Sequence, residues 1–169
     1  ERADMGASGP ALRLFVCREE SSHQPDSTIA KLVAEEGSWA VTNITRYEEF
    51  AERAARTKQS LLKLIADLRG QDFTIGAYCA PAKGNTLLNY LGLTSDDLAA
   101  VSDNNALKIG KLTPGTHIPI VSDKDFLDSG VSHALLLAWN YADFFVANAE
   151  FVKRGGQFIV PLPAPVIRP

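Results

Sequence analysis

An open α/β sheet, parallel in most of its strands and covered by helices on both faces, is what this sequence predicts. Three observations carry it. Short apolar runs such as "FTIGAYC" (73–79), "HALLLAW" (133–139) and "QFIVPL" (157–162) read as strands buried on both faces. They alternate with helical segments, the order that places parallel strands side by side. Upstream, a long helical period carries one apolar stripe, which needs a broad surface such as a sheet to pack on. Right-handed crossovers make the whole a Rossmann-like, three-layer α/β domain with an extra N-terminal strand and long helix.

Taken in order, residues 1–10 read as a linker or tail, and residues 11–169 as a single domain. "ALRLFVCR" (11–18) is strand-like until "EESSHQPDS" breaks it. Ser27 suits the cap of a short helix that Gly37 stops. Thr45 and Glu48 have capping-box spacing. From there Tyr47, Phe50, Ala51, Ala54, Leu61, Leu62, Ile65 and Leu68 recur at helical period until Gly70. After the strand at 73–79 comes a helix over 84–90, then "LAAVSDNN" (98–105), a strand ending in polar residues near Asp103. "THIPIVS" (116–122) is strand-like and "DKDFLDSG" (123–130) a helical turn. One helix is expected from Tyr141 to Arg154, stopped by Gly155 and Gly156. "QFIVPL" is then the last strand, before a Pro-rich end.

Composition removes several classes of function. The 169 residues are 46% hydrophobic with a net charge of −3 and no basic block, which argues against nucleic acid as the main partner. The longest apolar stretches are too short to cross a bilayer, and "ERADMGASGP" has no apolar signal region. A cytoplasmic protein with two reduced thiols, Cys17 and Cys79, is the expectation. His23, His117 and His133 lie far apart with no second ligand at helical spacing, so no metal is expected. The start without Met suggests a processed product or a segment of a longer polypeptide.

In open α/β sheets ligands gather beyond the carboxyl ends of the strands. There the sequence places "YCAPAKGNT", "SDNNALKIGK" and Asn140. The first is neither a P-loop, since Lys83 precedes Gly84, nor a GxGxxG fingerprint. It keeps small residues, a helix start and a lysine, all of which suit an anion. The same stretch also suits a strand-to-helix turn packed tightly by Ala, Pro and Gly. In "KIGKLTPGTHIPI" (108–120), Lys108 and Lys111 have the charge and reach for a phosphate, beside Thr116 and His117. No nucleophile–base–acid set surrounds His117. Asp96 and Asp97 fit a helix start better than acid–base chemistry.

Together "AYCAPAKGNTLLNYLG", "DNNALKIGKLTPGTHIPI", "LLLAWNYADFF" and "RGGQFIVPLPAP" resemble the C-terminal domain of S-adenosylmethionine-dependent sugar C-methyltransferases. The resemblance covers residues 12–167 and is strongest from 73 onward. It implies a three-part enzyme with an N-terminal zinc-binding region, a central methyl-donor domain that holds the catalytic residues, and this domain closing one wall of the cleft. The implied ligand is a nucleotide-linked sugar, with Lys83, Asn85, Thr86, Lys108, Lys111, Thr116, His117 and Asn140 as the expected contacts. S-adenosylmethionine is implied for the full enzyme and no cofactor for this chain, where no glycine loop is followed by an acidic ribose partner. Where the family pattern carries glycine this sequence has Cys79; a side chain there either narrows the loop or marks a relative with a different acceptor. Two other readings remain: a non-catalytic interaction module that keeps the fold, and a stand-alone nucleotide-dependent enzyme using His117 as base.

Overall fold

The computed structural model describes residues 2–4 and 10–169. The chain divides into two compact units, Glu1–Arg53 and Ala54–Pro169. Of the stretch expected as a tail, residues 1 and 5–9 lie outside the described residues. Arg2–Asp4 (β1) pairs antiparallel with Pro10–Leu12 (β2), Arg2 opposite Leu12. The strand expected over 11–18 is therefore shorter, and residues 13–18 form no ladder.

In the first unit, α1 spans Ser27–Ser38 and starts one residue earlier than expected, at the serine read as its cap. Asp26 is the cap, its carboxylate accepting the Thr28 N–H at 2.7 Å. The helix continues one residue past Gly37, which lies inside it. Helix α2 (Ile44–Arg69) also starts before its expected box. Asn43 Oδ1 accepts the Thr45 N–H at 3.0 Å, so Thr45 is helical rather than capping.

The second unit holds a six-stranded sheet. Its strands are β3 (Ile75–Tyr78), β4 (Val101–Ser102), β5 (Ile120–Val121), β6 (His133–Leu136), β7 (Gln157–Val160) and β8 (Val166–Arg168). They lie in the order β5-β4-β3-β6-β7-β8, all parallel except β8. Every residue of β3 and β6 is buried, as a sheet covered on both faces requires. Alternate side chains divide between two cores. Ile75, Ala77, Leu135, Leu137 and Ile159 pack with Leu61, Ile65 and Leu68 of α2 and with Leu88 of α3 (Ala82–Leu91). On the other face Tyr78, Ala134, Leu136 and Phe158 pack with Phe126 of α4 (Asp123–Leu127) and Phe151.

Two expectations near the C-terminus need correction. The helix expected from Tyr141 to Arg154 is a 3-10 turn at Trp139–Tyr141, then α5 (Ala142–Asn148) and α6 (Glu150–Lys153). Ala149 breaks it with extended backbone, φ −65° and ψ 134°. The reason is packing: Phe145 and Phe151 both reach Phe158, at ring distances of 6.4 and 5.3 Å. Six residues apart on one straight helix, they would point in widely different directions. The strand at 157–160 is also not the last. β8 adds an antiparallel edge, Phe158 opposite Arg168 and Val160 opposite Val166. Prolines at 161, 163 and 165 hide it in the sequence, and an edge is where a sheet tolerates them nearby.

Candidate functional site

Strands β3 and β6 are neighbours, yet the chain leaves β3 toward β4 and β5, and leaves β6 toward β7. Connections that part in this way open a crevice beyond the carboxyl ends of the two strands. The loop after β3 enters it with Cys79 at φ 67°, a left-handed conformation that glycine adopts without steric cost. A glycine, as the resemblance implies for this position, would hold that conformation without strain. Burial, with the carboxylates of Asp103 and Asp123 nearby, pushes the Cys79 thiol up to about 12, so it stays protonated. Burial and Asp123 likewise push the neighbouring Tyr78 hydroxyl up to about 12.

Asp103, just past β4, locks this loop. Its Oδ2 accepts the Ala80 N–H at 2.8 Å and the Lys108 ammonium at 3.1 Å, and its Oδ1 accepts the Asn105 N–H at 2.8 Å. Lys108 Nζ also donates to the Ala80 carbonyl at 3.0 Å. Burial alone raises the carboxyl pKa, but these backbone and lysine donors outweigh it and hold the group below its ordinary value. In a dinucleotide-binding sheet an acid at the end of the second strand binds the ribose. Asp103 occupies that position, at the strand end where the sequence placed it, but both its oxygens are engaged by the protein's own groups.

Helix α3 starts at Ala82 without a side-chain cap. Asn85 N–H already donates to the Pro81 carbonyl at 3.1 Å, so the first-turn donors left over belong to residues 82–84. Gly84 is required by packing, since a Cβ there would stand 2.6 Å from Leu137 Cβ. Lys83 turns toward Trp139, its Nζ 4.7 Å from the ring centre, and partial burial lowers its pKa. Across from α3, residues 108–120 fold back on β5. Ile120 N–H donates to the Lys111 carbonyl at 2.8 Å, and Gly110 N–H to the Ile120 carbonyl at 2.9 Å. Asn89 of α3 fastens the turn of this segment, donating to the Pro114 carbonyl at 3.0 Å.

Between these two walls lies a cleft of about 440 Å³, the size of a small-molecule site. Of the eight residues expected from the sequence, Asn85, Lys108 and Lys111 line it. Lys83, Thr86, Thr116, His117 and Asn140 do not. Thr116 is buried, its hydroxyl 2.6 Å from that of Thr113, and serves the turn. His117 is exposed at φ 55° on the same turn. Asn140 is exposed on the 3-10 turn after β6. The sequence reading missed the apolar walls: Ala80, Pro81 and Leu88 on one side, Leu107, Leu112 and Pro114 on the other. The exposed leucines beside Lys108 and Lys111 were the available signal. Among the described residues no group of three or more His, Cys, Asp or Glu is placed to hold a metal, and no helix is long and apolar enough to cross a membrane.

Fold and cleft define a Rossmann-like α/β domain with a ligand-sized site at its strand ends. More particularly, the chain belongs to the family of C-methyltransferase C-terminal domains, whose pattern matches residues 6–163. It is 35% identical over 158 residues to the C-methyltransferase NovU of Streptomyces niveus. That match covers 93% of this chain and 38% of the relative, so the chain spans well under half of the relative's length.

Proposed function

We propose that this chain is the acceptor-binding part of a C-methyltransferase that acts on a nucleotide-linked sugar in the cytoplasm. The observation that carries the reading is the cleft between α3 and the 108–114 segment, with Lys108 and Lys111 on its wall. The Lys111 ammonium, with the one donor that Lys108 keeps beyond Asp103 and the Ala80 carbonyl, suits the phosphates of a nucleotide carrier. Family membership supports methyl transfer as the reaction of the whole enzyme, for which S-adenosylmethionine is the proposed donor. The residues present do not fit that donor. The loop after β3 reads Cys79-Ala80-Pro81-Ala82 without a glycine run, and the ribose-position carboxylate of Asp103 is engaged by Ala80 and Lys108. Methyl transfer is accordingly assigned to polypeptide outside this chain, and this domain binds and orients the acceptor. The two free cysteines accord with a reducing compartment.

Titration of a thymidine-diphosphate sugar into the chain tests the reading. Lys111→Ala should weaken binding about tenfold, as loss of one charge-assisted contact does. Lys31→Ala, on α1, should leave it unchanged. Equal binding by both variants would remove the cleft from the account.

A further inference from the structure

Resting on the reading that methyl transfer belongs to polypeptide outside this chain, we propose that the first unit is a docking surface for that polypeptide, the methyl-donor part of the same enzyme. The unit has no interior of its own. Among the described residues 11–53 none is buried, whereas the second unit closes two apolar cores. Helix α1 is 12 residues long and buries none of them. A helix of that length is marginal in water unless an amphipathic face is packed. Such a face is present: Ile29, Leu32 and Val33 recur at helical spacing, and Ile29 and Val33 are exposed. The start of α2 repeats the pattern with Tyr47 and Phe50, both exposed.

The extended segment before α1 carries the same signature. β2 ends at Leu12, yet Leu14, Phe15 and Val16 run on, 70%, 80% and 90% exposed. A two-stranded sheet is marginal by itself, and an apolar run past its end needs a covering face. Single exposed apolar residues are ordinary, but three successive segments that present them mark a contact surface. The family chooses the occupant. A C-terminal domain follows the rest of its polypeptide, and the match takes in only 38% of NovU. The first unit is the stretch of this chain nearest to such a preceding part, and a covalent link holds neighbours at an effective concentration in roughly the millimolar range. A second copy of this chain has no such link. Methyl transfer also requires the bound acceptor to meet the donor, and a fixed contact between the two parts sets that approach.

Hydrogen exchange read by mass spectrometry, on this chain and on the full-length methyltransferase, tests this. Amides of residues 27–38 and 44–53 should exchange at least about tenfold more slowly in the full-length enzyme, and those of β3 and β6 equally in both. Val33→Glu and Phe50→Glu should each leave the thermal midpoint of this chain within about 2 °C of the parent, because the side chain meets water there. In the full-length enzyme each should abolish the extra protection around it. If exchange is the same in both proteins, or if neither variant alters the protection, the inference falls while the acceptor cleft stands. Sedimentation of this chain alone should show a monomer; a dimer in which residues 27–38 are protected assigns the surface to a second copy and overturns the inference. If the first unit is protected in the full-length enzyme but the chain binds no thymidine-diphosphate sugar, the acceptor reading falls and the docking surface stands.

Discussion

The ammonium of Lys108 stands 3.1 Å from the carboxylate of Asp103, and that carboxylate also receives the backbone N–H of Ala80. One buried acid thus fixes the loop after β3 and the lysine on the facing wall at the same time. Asp103 is 8% exposed and Lys108 is over a third exposed, so the attraction is partly screened by water. The backbone donors are the firmer part.

Acid should reveal this arrangement. The folded pKa of Asp103 lies below the ordinary value of 3.8, held there against burial by Asn105, Ala80 and Lys108. Below about pH 4 the unfolded chain therefore binds more protons than the folded one. Stability from Asp103 is full above that window and is lost as the pH falls through it. Asp103→Asn should cost about 1–3 kcal/mol at neutral pH and flatten the acid limb in denaturant unfolding. A variant with the parent's stability and the parent's acid limb would mean the loop is held by other groups.

Thiol labelling distinguishes the two cysteines. Cys17 is exposed, whereas Cys79 is partly buried with its pKa pushed up to about 12. An alkylating reagent at mildly alkaline pH should modify Cys17 in the native chain and leave Cys79 intact, as read by mass spectrometry. Cys79→Val should destabilise the fold by about 1–2 kcal/mol, because a β-branched residue is poorly accommodated at positive φ. Cys79→Gly should stay within about 1 kcal/mol of the parent, relieved strain offsetting lost chain stiffness. Rapid labelling of native Cys79 would show that the loop opens.

Helix α2 should divide into two energetic halves. Leu61 and Ile65 are 0% and 2% exposed in the sheet core, whereas Phe50 is 63% exposed. Truncating either of the first two to Ala should cost about 2–5 kcal/mol. Phe50→Ala should change stability by less than about 0.5 kcal/mol. Chemical denaturation of the three variants decides, and equal effects would contradict the packing described.

Strands buried on both faces announce themselves as unbroken apolar runs, which is why β3, β6 and β7 were legible in the sequence. Nothing of that kind marks β8, where three prolines precede an exposed edge. The break at Ala149 was hidden because an alanine carries no stop signal, and the next glycines come only at 155 and 156. At the site, position relative to the strand ends pointed to Asn85, Lys108 and Lys111, which do line the cleft. Thr116 and His117 share that stretch but serve a turn, and only the fold separates turn from wall. The lock on Asp103 was beyond sequence reasoning, since its partner Ala80 is a backbone group 23 residues away.

We propose that this chain binds the methyl acceptor and that the methyl donor is held elsewhere. Calorimetry of the isolated chain against thymidine-diphosphate glucose and S-adenosylmethionine, side by side under one buffer, tests it most directly. The nucleotide-sugar should bind saturably and S-adenosylmethionine should not bind. Low-micromolar binding of S-adenosylmethionine, with the nucleotide-sugar inert, would contradict it.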